Sequence, residues 1–533
     1  MRADWLFRNG TIYAAPGKTV EALAIRGSRV IAAGPEAEVL HTAGHGTRVV
    51  DLAGRAVVPG LVDCHLHLLA YGLSQRQVRL AGSKSLAEAV ELIRQRAENT
   101  PHGEWVVAQG FLEDRWPERR LPTRCDLDKA APAHPAAAFR ADMHLCVANS
   151  LALGRAGIAG GVQDPVGGQI DRDEAGEPTG VLRENAVDLL TRVMPGPSME
   201  EMRSALAGAV RDAARSGITE VHSDDLRTAG SFAAAWRVWN EIAGPEGFPL
   251  RAYLLISEEC YEECLRSGLK PGSGNGWVRV GPVKLFADGS LGSHTAALRA
   301  PYADQPDSRG ILVHSPEELF ALVERYHRDG QQIACHCIGD GAIELFLDAL
   351  AAADQKYHRP DPRHRVIHAQ VCPPDLQRRM AELRVIADIQ PKFIHSDGHF
   401  YEARLGRERS RWFNPWRSMR EQGIPCCSGS DCPVEPFHMP WQLHAAVARR
   451  GLDGEPPEGW NPGERLSFAE ALALHTTGAA YAAFAETFRG RLEPGMAADL
   501  VVLNRDPGQM MPEELKELAV HLTMVGGQVA YEA

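Results

Sequence analysis

Residues 57–68 read VVPGLVDCHLHL. An apolar run ends in His65 and His67 at alternate positions of a short extended segment, so both imidazoles leave the same face of a strand. Neutral imidazole is the commonest protein ligand for zinc and related divalent ions, and two from one strand end leave room for donors from elsewhere. A bare His-x-His also arises by chance in many chains. Its weight therefore rests on what the rest of the chain supplies.

Working outward, apolar strand-like runs alternate with helix-like stretches, the pattern of parallel βα units. Eight candidate strands stand out: 61–68, 218–223, 250–256, 283–288, 332–337, 365–370, 385–390 and 424–431. This makes an α/β chain built on a TIM-like (β/α)8 barrel, whose chemistry gathers at strand C-terminal ends. Capping boxes mark helix starts at Ser85 with Glu88, Ser198 with Glu201, Ser315 with Glu318 and Ser467 with Glu470. Residues 1–56 read as short strands, with Asn9-Gly10 as a type I′ hairpin signal and a second turn around Gly27-Ser28. Alternating β-branched runs return at 498–504 and 521–532. The gap at 72–200 is too long for one connection and predicts an inserted α/β subdomain with strands at 104–111 and 134–142. Because it leaves after the first strand, at the catalytic face, it is expected to form a lid. The Gly/Pro-rich segment 451–464 reads as a surface excursion.

The strand ends carry the chemistry. Metal-assisted hydrolysis needs electron-rich ligands, an open position for water and a carboxylate to take the water's proton. His65 and His67 end the first strand, Lys284 lies in the fourth, His336 and His368 in the fifth and sixth, and Asp431 ends the eighth. Strand alternation turns Cys335 and Cys337 away from the face of His336, into the core. A protonated Lys284 would repel a cation. A neutral amine can react with carbon dioxide to give a carbamate able to bridge two ions; the alternative is an ion pair with Asp288 or another carboxylate. His222 and His294 are candidates for stabilising an oxyanion or contacting substrate. Asp340 either orients a histidine ligand or caps a helix.

Several segments together resemble the amidohydrolase superfamily: PGLVDCHLHL at 59–68, preceded by VVDLAGRAVV at 49–58 and matched by GRLEPGMAADLVVLNRDP at 490–507. VKLFADGSLGSHTAAL (283–298), ACHCIGDGA (334–342), RVIHAQ (365–370), RLGRERSRW (404–412) and SGSDCPVEP (428–436) are similar to its amidohydrolase-3, or YtcJ-like, branch. FRADMHLCVANS (139–150) resembles a segment of the amidohydrolases, which implies that Arg140, Asp142, His144 and Asn149 line the pocket, with surface hydrogen bonding as the other reading. The segment Gly110 to Glu113 departs from that branch, where an aromatic-acidic pair is commoner, and this puts the transfer of a substrate in doubt. The resemblance implies a β-sandwich built from both termini, 1–56 with 487–533, beside a hydrolase barrel over 57–486. It also implies one or two zinc or similar divalent ions. The first would take His65, His67, a Lys284 carbamate and Asp431; the second would take the carbamate, His336 and His368. Asp431 would move the proton.

The implied reaction is hydrolysis of a C–N bond in an amide, N-formyl compound or cyclic amide. Carbamate, thiocarbamate or ester hydrolysis would use the same site, and a non-catalytic binding role would predict missing ligands, which these are not. Composition is ordinary for a globular chain, 44% hydrophobic and 24% charged over 533 residues, and a net charge of -12 leaves no electrostatic footprint for nucleic acid. Eleven cysteines, an odd number, argue for reduced thiols over a disulfide framework. With no signal-peptide pattern and no long apolar run, a cytoplasmic enzyme is expected, and no membrane partner. The expected partners are a small-molecule substrate and, in a homodimer, a second copy of the chain.

Overall fold

The computed structural model describes residues 1–533. At its centre eight parallel strands follow one another in sequence order: β1 (Leu61–Leu66), β2 (Ile218–Ser223), β3 (Arg251–Ser257), β4 (Val278–Phe286), β5 (Ile333–Cys337), β6 (Arg365–His368), β7 (Ile386–Ile389) and β8 (Cys426–Ser428). Each coincides with one of the eight segments read from sequence. Helices cover the outer face of the strands and side chains of neighbouring strands fill the inside, so β1, β2 and β3 are buried at every position, including the polar Asp63, Glu220 and His222. The ends of β8 and β1 meet through two backbone bonds just beyond the strands: Asp431 N–H to His65 O and His67 N–H to Cys432 O, each 2.7 Å. β4 starts earlier than the sequence suggested. Gly281-Pro282 lies within the strand at a register shift, with Gly281 pressed against the Leu254 carbonyl.

The four capping serines behave as expected, each accepting from the backbone of the acid three residues on. At Ser85 the reciprocal bond is displaced by one residue, Glu88 reaching the Lys84 N–H.

Both termini build a two-sheet sandwich. A sheet with the order Arg29–Gly34, Ala22–Arg26, Trp5–Arg8, Arg48–Asp51 faces one with the order Gln528–Glu532, Val520–Val525, Leu500–Leu503, Ala56–Pro59, Thr11–Ala15, Lys18–Val20. Alternation decides what each face meets. Val57, Leu500, Val502, Leu522 and Met524 pack against Phe7, Leu23 and Ile25, whereas Val58, Val501 and Leu503 turn into the barrel's core, joined by Val520, which a register shift at 503 moves to that face. The expected hairpin at Asn9-Gly10 does not form. Trp5–Arg8 pairs in one sheet and Thr11–Ala15 in the other, so the chain crosses between sheets there. Asn9 takes φ 60° but Gly10 does not join it at positive φ, as a type I′ turn requires; instead its Cα lies tight against Leu52 and the Arg55 carbonyl. The Gly27 turn is a hairpin, as is Gly526-Gly527.

The insertion holds a six-stranded sheet, ordered Gly168–Arg172, Pro178–Glu184, Leu145–Ala148, Ala136–Arg140, Val106–Phe111, Val78–Arg79. Both faces are covered: Ala136, Ala138, Leu145 and Val147 face the helix Leu86–Glu98, and Ala137, Phe139, Cys146 and Ala148 the opposite layer. No helix is long and apolar enough to cross a membrane.

Candidate metal centre

The proposed donors converge at the C-terminal ends of the barrel strands. Asp431 Oδ1 lies 3.2 Å from His65 Nε2 and 3.3 Å from His67 Nε2, and the donor atoms of these three residues all lie within 4.8 Å of one another. Lys284 Nζ is 3.2 Å from His65 Nε2. His336 Nδ1 and His368 Nε2 face each other at 3.0 Å, and the His65 and His368 rings lie 5.8 Å apart. Six donors from five strand ends therefore share one place.

Backbone carbonyls set two of the rings. His67 Nδ1–H donates to Asp224 O at 2.9 Å, which turns Nε2 toward Asp431 Oδ1 at 3.3 Å; His336 Nε2–H donates to Gly289 O at 3.1 Å, leaving Nδ1 free. Such outer contacts choose the tautomer a metal ligand needs. Two ligand positions also hold unusual backbone, His368 at φ 73° and Asp431 at φ 59°, each a strained left-handed conformation for a side-chain-bearing residue.

Electrostatics prepare the same groups. Burial drives His336 and His368 well below the ordinary histidine range, and burial plus the Lys284 charge takes His65 down to about 4, so these rings are neutral. Burial opposes the charge of Asp431, but its bonds to His65 and His67 hold the carboxyl well below its usual value. Burial also lowers Lys284, whose side chain is 1% exposed and whose one carboxylate neighbour within 4.0 Å is Asp224, at 3.9 Å. Asp288 is not its partner. That carboxylate accepts backbone N–H bonds from Ala297, Ile338 and Gly339, and burial raises it to about 8.

The other candidates separate. His144 is at the centre: its ring lies 4.8 Å from that of His336, and Nδ1 is 2.7 Å from Glu184 Oε2. Arg140 and Asp142 line a smaller space beside it and also latch the insertion down. Arg140 binds Glu113 through both carboxylate oxygens, with Asp114 and Asp142, while Asp142 accepts from Ser290 Oγ at 2.6 Å and Ser293 Oγ at 2.7 Å, in the loop after β4. Asn149 does not line the pocket; it is fully buried and caps the helix Ser150–Arg155. Asp340 opens a helix and accepts from Arg299 N–H, and it is Asp288 that comes within 3.7 Å of a ligand ring, His336. His222 is fully buried inside the barrel, with Nδ1 3.0 Å from an Arg365 nitrogen and its ring 5.2 Å from that of Tyr253, a packing position in the barrel interior. His294 pairs with Asp304 at 3.2 Å. Sequence reading passed over Asp224 and Glu184. The first follows β2 at the face where barrel chemistry gathers, a position that could have flagged it; Glu184 carries no such sign.

A cavity of about 670 Å3 opens beside the centre. Arg79, Gln109, Leu112, Arg115 and Met143 of the insertion form one wall, and Lys392, His395 and Glu435 of the barrel loops form another. It touches the donor cluster through Cys432, next in the chain to Asp431, and a smaller neighbouring space continues to Phe393, which stacks on His368. The segment 451–464 is not merely superficial, since Gly451, Leu452 and Asp453 complete the cavity wall.

The sequence profile of the amidohydrolase family matches residues 48–531. The chain belongs to the amidohydrolase family. It is 34% identical over 486 residues to the putative amidohydrolase YtcJ of Bacillus subtilis, covering 91% of each chain. It is 30% identical over 531 residues to the N-substituted formamide deformylase of Arthrobacter pascens, covering 96% of this chain and 95% of that one. Among solved structures, an uncharacterized metal-dependent hydrolase from Pyrococcus horikoshii superposes with a TM-score of 0.75 at 27% identity, over 95% of this chain and 99% of that one. The amidohydrolase is thus a metal-dependent hydrolase of the class acting on C–N bonds outside peptides, on a TIM-like barrel. The donor set fits a divalent ion: imidazole and carboxylate atoms converge, and the tautomers of His67 and His336 are set for ligation.

Proposed function

We propose that this amidohydrolase cleaves the C–N bond of a small N-formyl amine, simple amide or cyclic amide, with zinc as its metal. The observation carrying the reading is the convergence of His65, His67, Lys284, His336, His368 and Asp431 beside a cavity large enough for a small molecule. The formamide deformylase relationship puts N-formyl amines first among the substrates to try.

His65, His67, Lys284 and Asp431 would hold one ion, and Lys284, His336 and His368 a second, with Lys284 acting as its carbamate. Its burial and lowered pKa favour the neutral amine, whose lone pair attacks carbon dioxide, releasing one proton as the carbamate forms. A divalent ion bound there supplies a Lewis acid and brings the pKa of water toward neutrality. The chain's own residues do the rest. Asp431, ionised at neutral pH, accepts the proton of the attacking water and returns it to the leaving nitrogen, giving a carboxylic acid and an amine. The test is a panel of N-formyl, N-acyl and cyclic amides offered to zinc-loaded and chelator-treated protein, with metal content measured alongside. Turnover of a panel member that disappears on chelation and returns with zinc supports the reading; equal turnover by metal-free protein would sink it.

A further inference from the structure

Glu184 ends the strand Pro178–Glu184 with φ 48° and ψ -128°, a conformation side-chain-bearing residues rarely adopt. Strained backbone of this kind persists where its surroundings over-determine it. The strand pairs antiparallel with Leu145–Ala148, Leu145 opposite Arg183, and the Glu184 N–H continues the ladder to the His144 carbonyl at 3.0 Å. Residues 144 and 184 therefore stand opposite each other where the insertion sheet reaches the barrel.

The side chains repeat that pairing over the metal centre. Glu184 Oε2 accepts from His144 Nδ1–H at 2.7 Å, while Oε1 is buried with no hydrogen-bond partner. The carboxylate rests on Gly289, where a Cβ would lie 2.0 Å from Oε1, and the Gly289 carbonyl is the one that orients His336. A pair serving only to dock the insertion would satisfy both carboxylate oxygens, as Asp142 does nearby. With Nδ1–H committed to Glu184, Nε2 is the free edge of a ring that sits 4.8 Å from His336 and is 16% exposed.

We propose that His144 hydrogen-bonds through Nε2 to the scissile group of the substrate, and that Glu184 is the positioning residue that holds its ring there. The insertion then supplies part of the reaction site as well as one wall of the cavity. This rests on the hydrolase reading above.

The test uses full-length zinc-loaded protein and four variants: His144→Asn, Glu184→Ala, Glu184→Gln and the double His144→Asn/Glu184→Ala. Three readouts are taken: bound zinc per chain, kcat and KM on the panel amide turned over fastest, and calorimetric affinity for methylphosphonate, a tetrahedral anion resembling the adduct of water with an amide. His144→Asn and Glu184→Ala should each lose on the order of 10²-fold in kcat/KM with zinc content unchanged. Each should also weaken methylphosphonate about tenfold. Glu184→Gln keeps an acceptor oxygen and should regain roughly tenfold of the rate loss. In the double variant Glu184→Ala should add less than about twofold, because it acts through His144. The proposal falls if either single variant stays near wild type in both rate and methylphosphonate affinity, if the losses multiply in the double variant, or if zinc is lost in step with rate. It also falls if zinc-loaded wild type binds no methylphosphonate. Should no panel amide turn over, the hydrolase reading fails, and the methylphosphonate affinities still decide whether the pair faces the centre.

Discussion

Gly429→Ala tests whether the closing of the barrel is what aligns the ligands. Gly429 lies between β8 and Asp431, and a Cβ there would fall 2.3 Å from His65 N, 2.6 Å from His65 O and 2.9 Å from its Cα. Ordinary contact begins at 3.4 Å, so the two backbones must separate by 3.4 − 2.3, about 1.1 Å. No flexible side chain can absorb this, because every atom met is backbone of a ligand-bearing residue. The displacement falls across the 2.7 Å bonds that tie Asp431 to His65 and His67 to Cys432. Metal sites tolerate about 0.2 Å in ligand distance, so the shift exceeds tolerance roughly fivefold. We expect zinc affinity to drop on the order of 10²-fold, near 2.8 kcal/mol at 1.4 kcal/mol per decade, with overpacking costing a further ~1–3 kcal/mol of fold stability. Competition against a fluorescent zinc chelator reads the first and thermal unfolding of metal-free protein the second. Gly208→Ala is the control. It lies inside the helix Met199–Arg215 with nothing within 4 Å of its Cβ position, and should leave zinc affinity alone while adding up to ~1 kcal/mol of helix propensity. Wild-type zinc affinity in Gly429→Ala would refute the claim that contact between the ends of β8 and β1 sets the ligand geometry.

Asp431→Asn keeps an oxygen ligand but removes the base, so metal content should hold while turnover falls on the order of 10²-fold or more; near-normal turnover would move proton transfer to another residue. Lys284→Ala should lose metal and rate together, with part of both returning on addition of a short carboxylic acid, and two bound ions with full activity would show there is no carbamate. A chain ending at Arg489 loses eleven buried apolar side chains larger than alanine (Leu492, Leu500, Val501, Val502, Leu503, Leu515, Leu518, Val520, Leu522, Met524 and Val525); at ~1.5 kcal/mol or more apiece this reaches about 16 kcal/mol, the whole stability of an ordinary domain, so soluble, cooperatively melting protein would contradict the packing. Asp142→Ala removes the acceptor of Arg140, Ser290 and Ser293, and should raise hydrogen exchange across 136–148 and 290–294 by roughly 10²-fold, with zinc content unchanged.

What could be read from the sequence was what local pattern dictates. The eight strands showed because strands buried on both sides are short and rich in apolar residues, and the proposed ligands showed because they lie at the ends of those strands. The hairpin at Asn9-Gly10 failed because two residues with the right local preference are equally suited to a crossing between sheets, and only the partner strands decide. Asn149 is a polar residue near the face of the barrel, a signal that cannot separate a cap from a pocket wall, whereas Arg140 and Asp142 latch the insertion and line the smaller space at once. His144 falls in the same segment and does reach the centre, because the pairing of two insertion strands sets it opposite Glu184.

The outer contacts of the centre lay beyond sequence reading for a physical reason. His67 and His336 are oriented by main-chain oxygens, those of Asp224 and Gly289, and a carbonyl leaves no trace in residue type. His65 and His368 have buried Nδ1 atoms with no partner at all. Each half of the donor set thus contains one histidine fixed by the backbone and one whose far nitrogen is unpaired. An unmet buried polar atom costs about 1–3 kcal/mol, and at these two rings the cost falls on residues whose other nitrogens face the common centre. Ligation at Nε2 requires the Nδ1–H tautomer at both rings, so binding a metal must carry that cost as well as the strain at His368 and Asp431. The backbone-fixed rings limit what remains to be ordered when metal binds, since His67 and His336 already hold the tautomer that ligation needs.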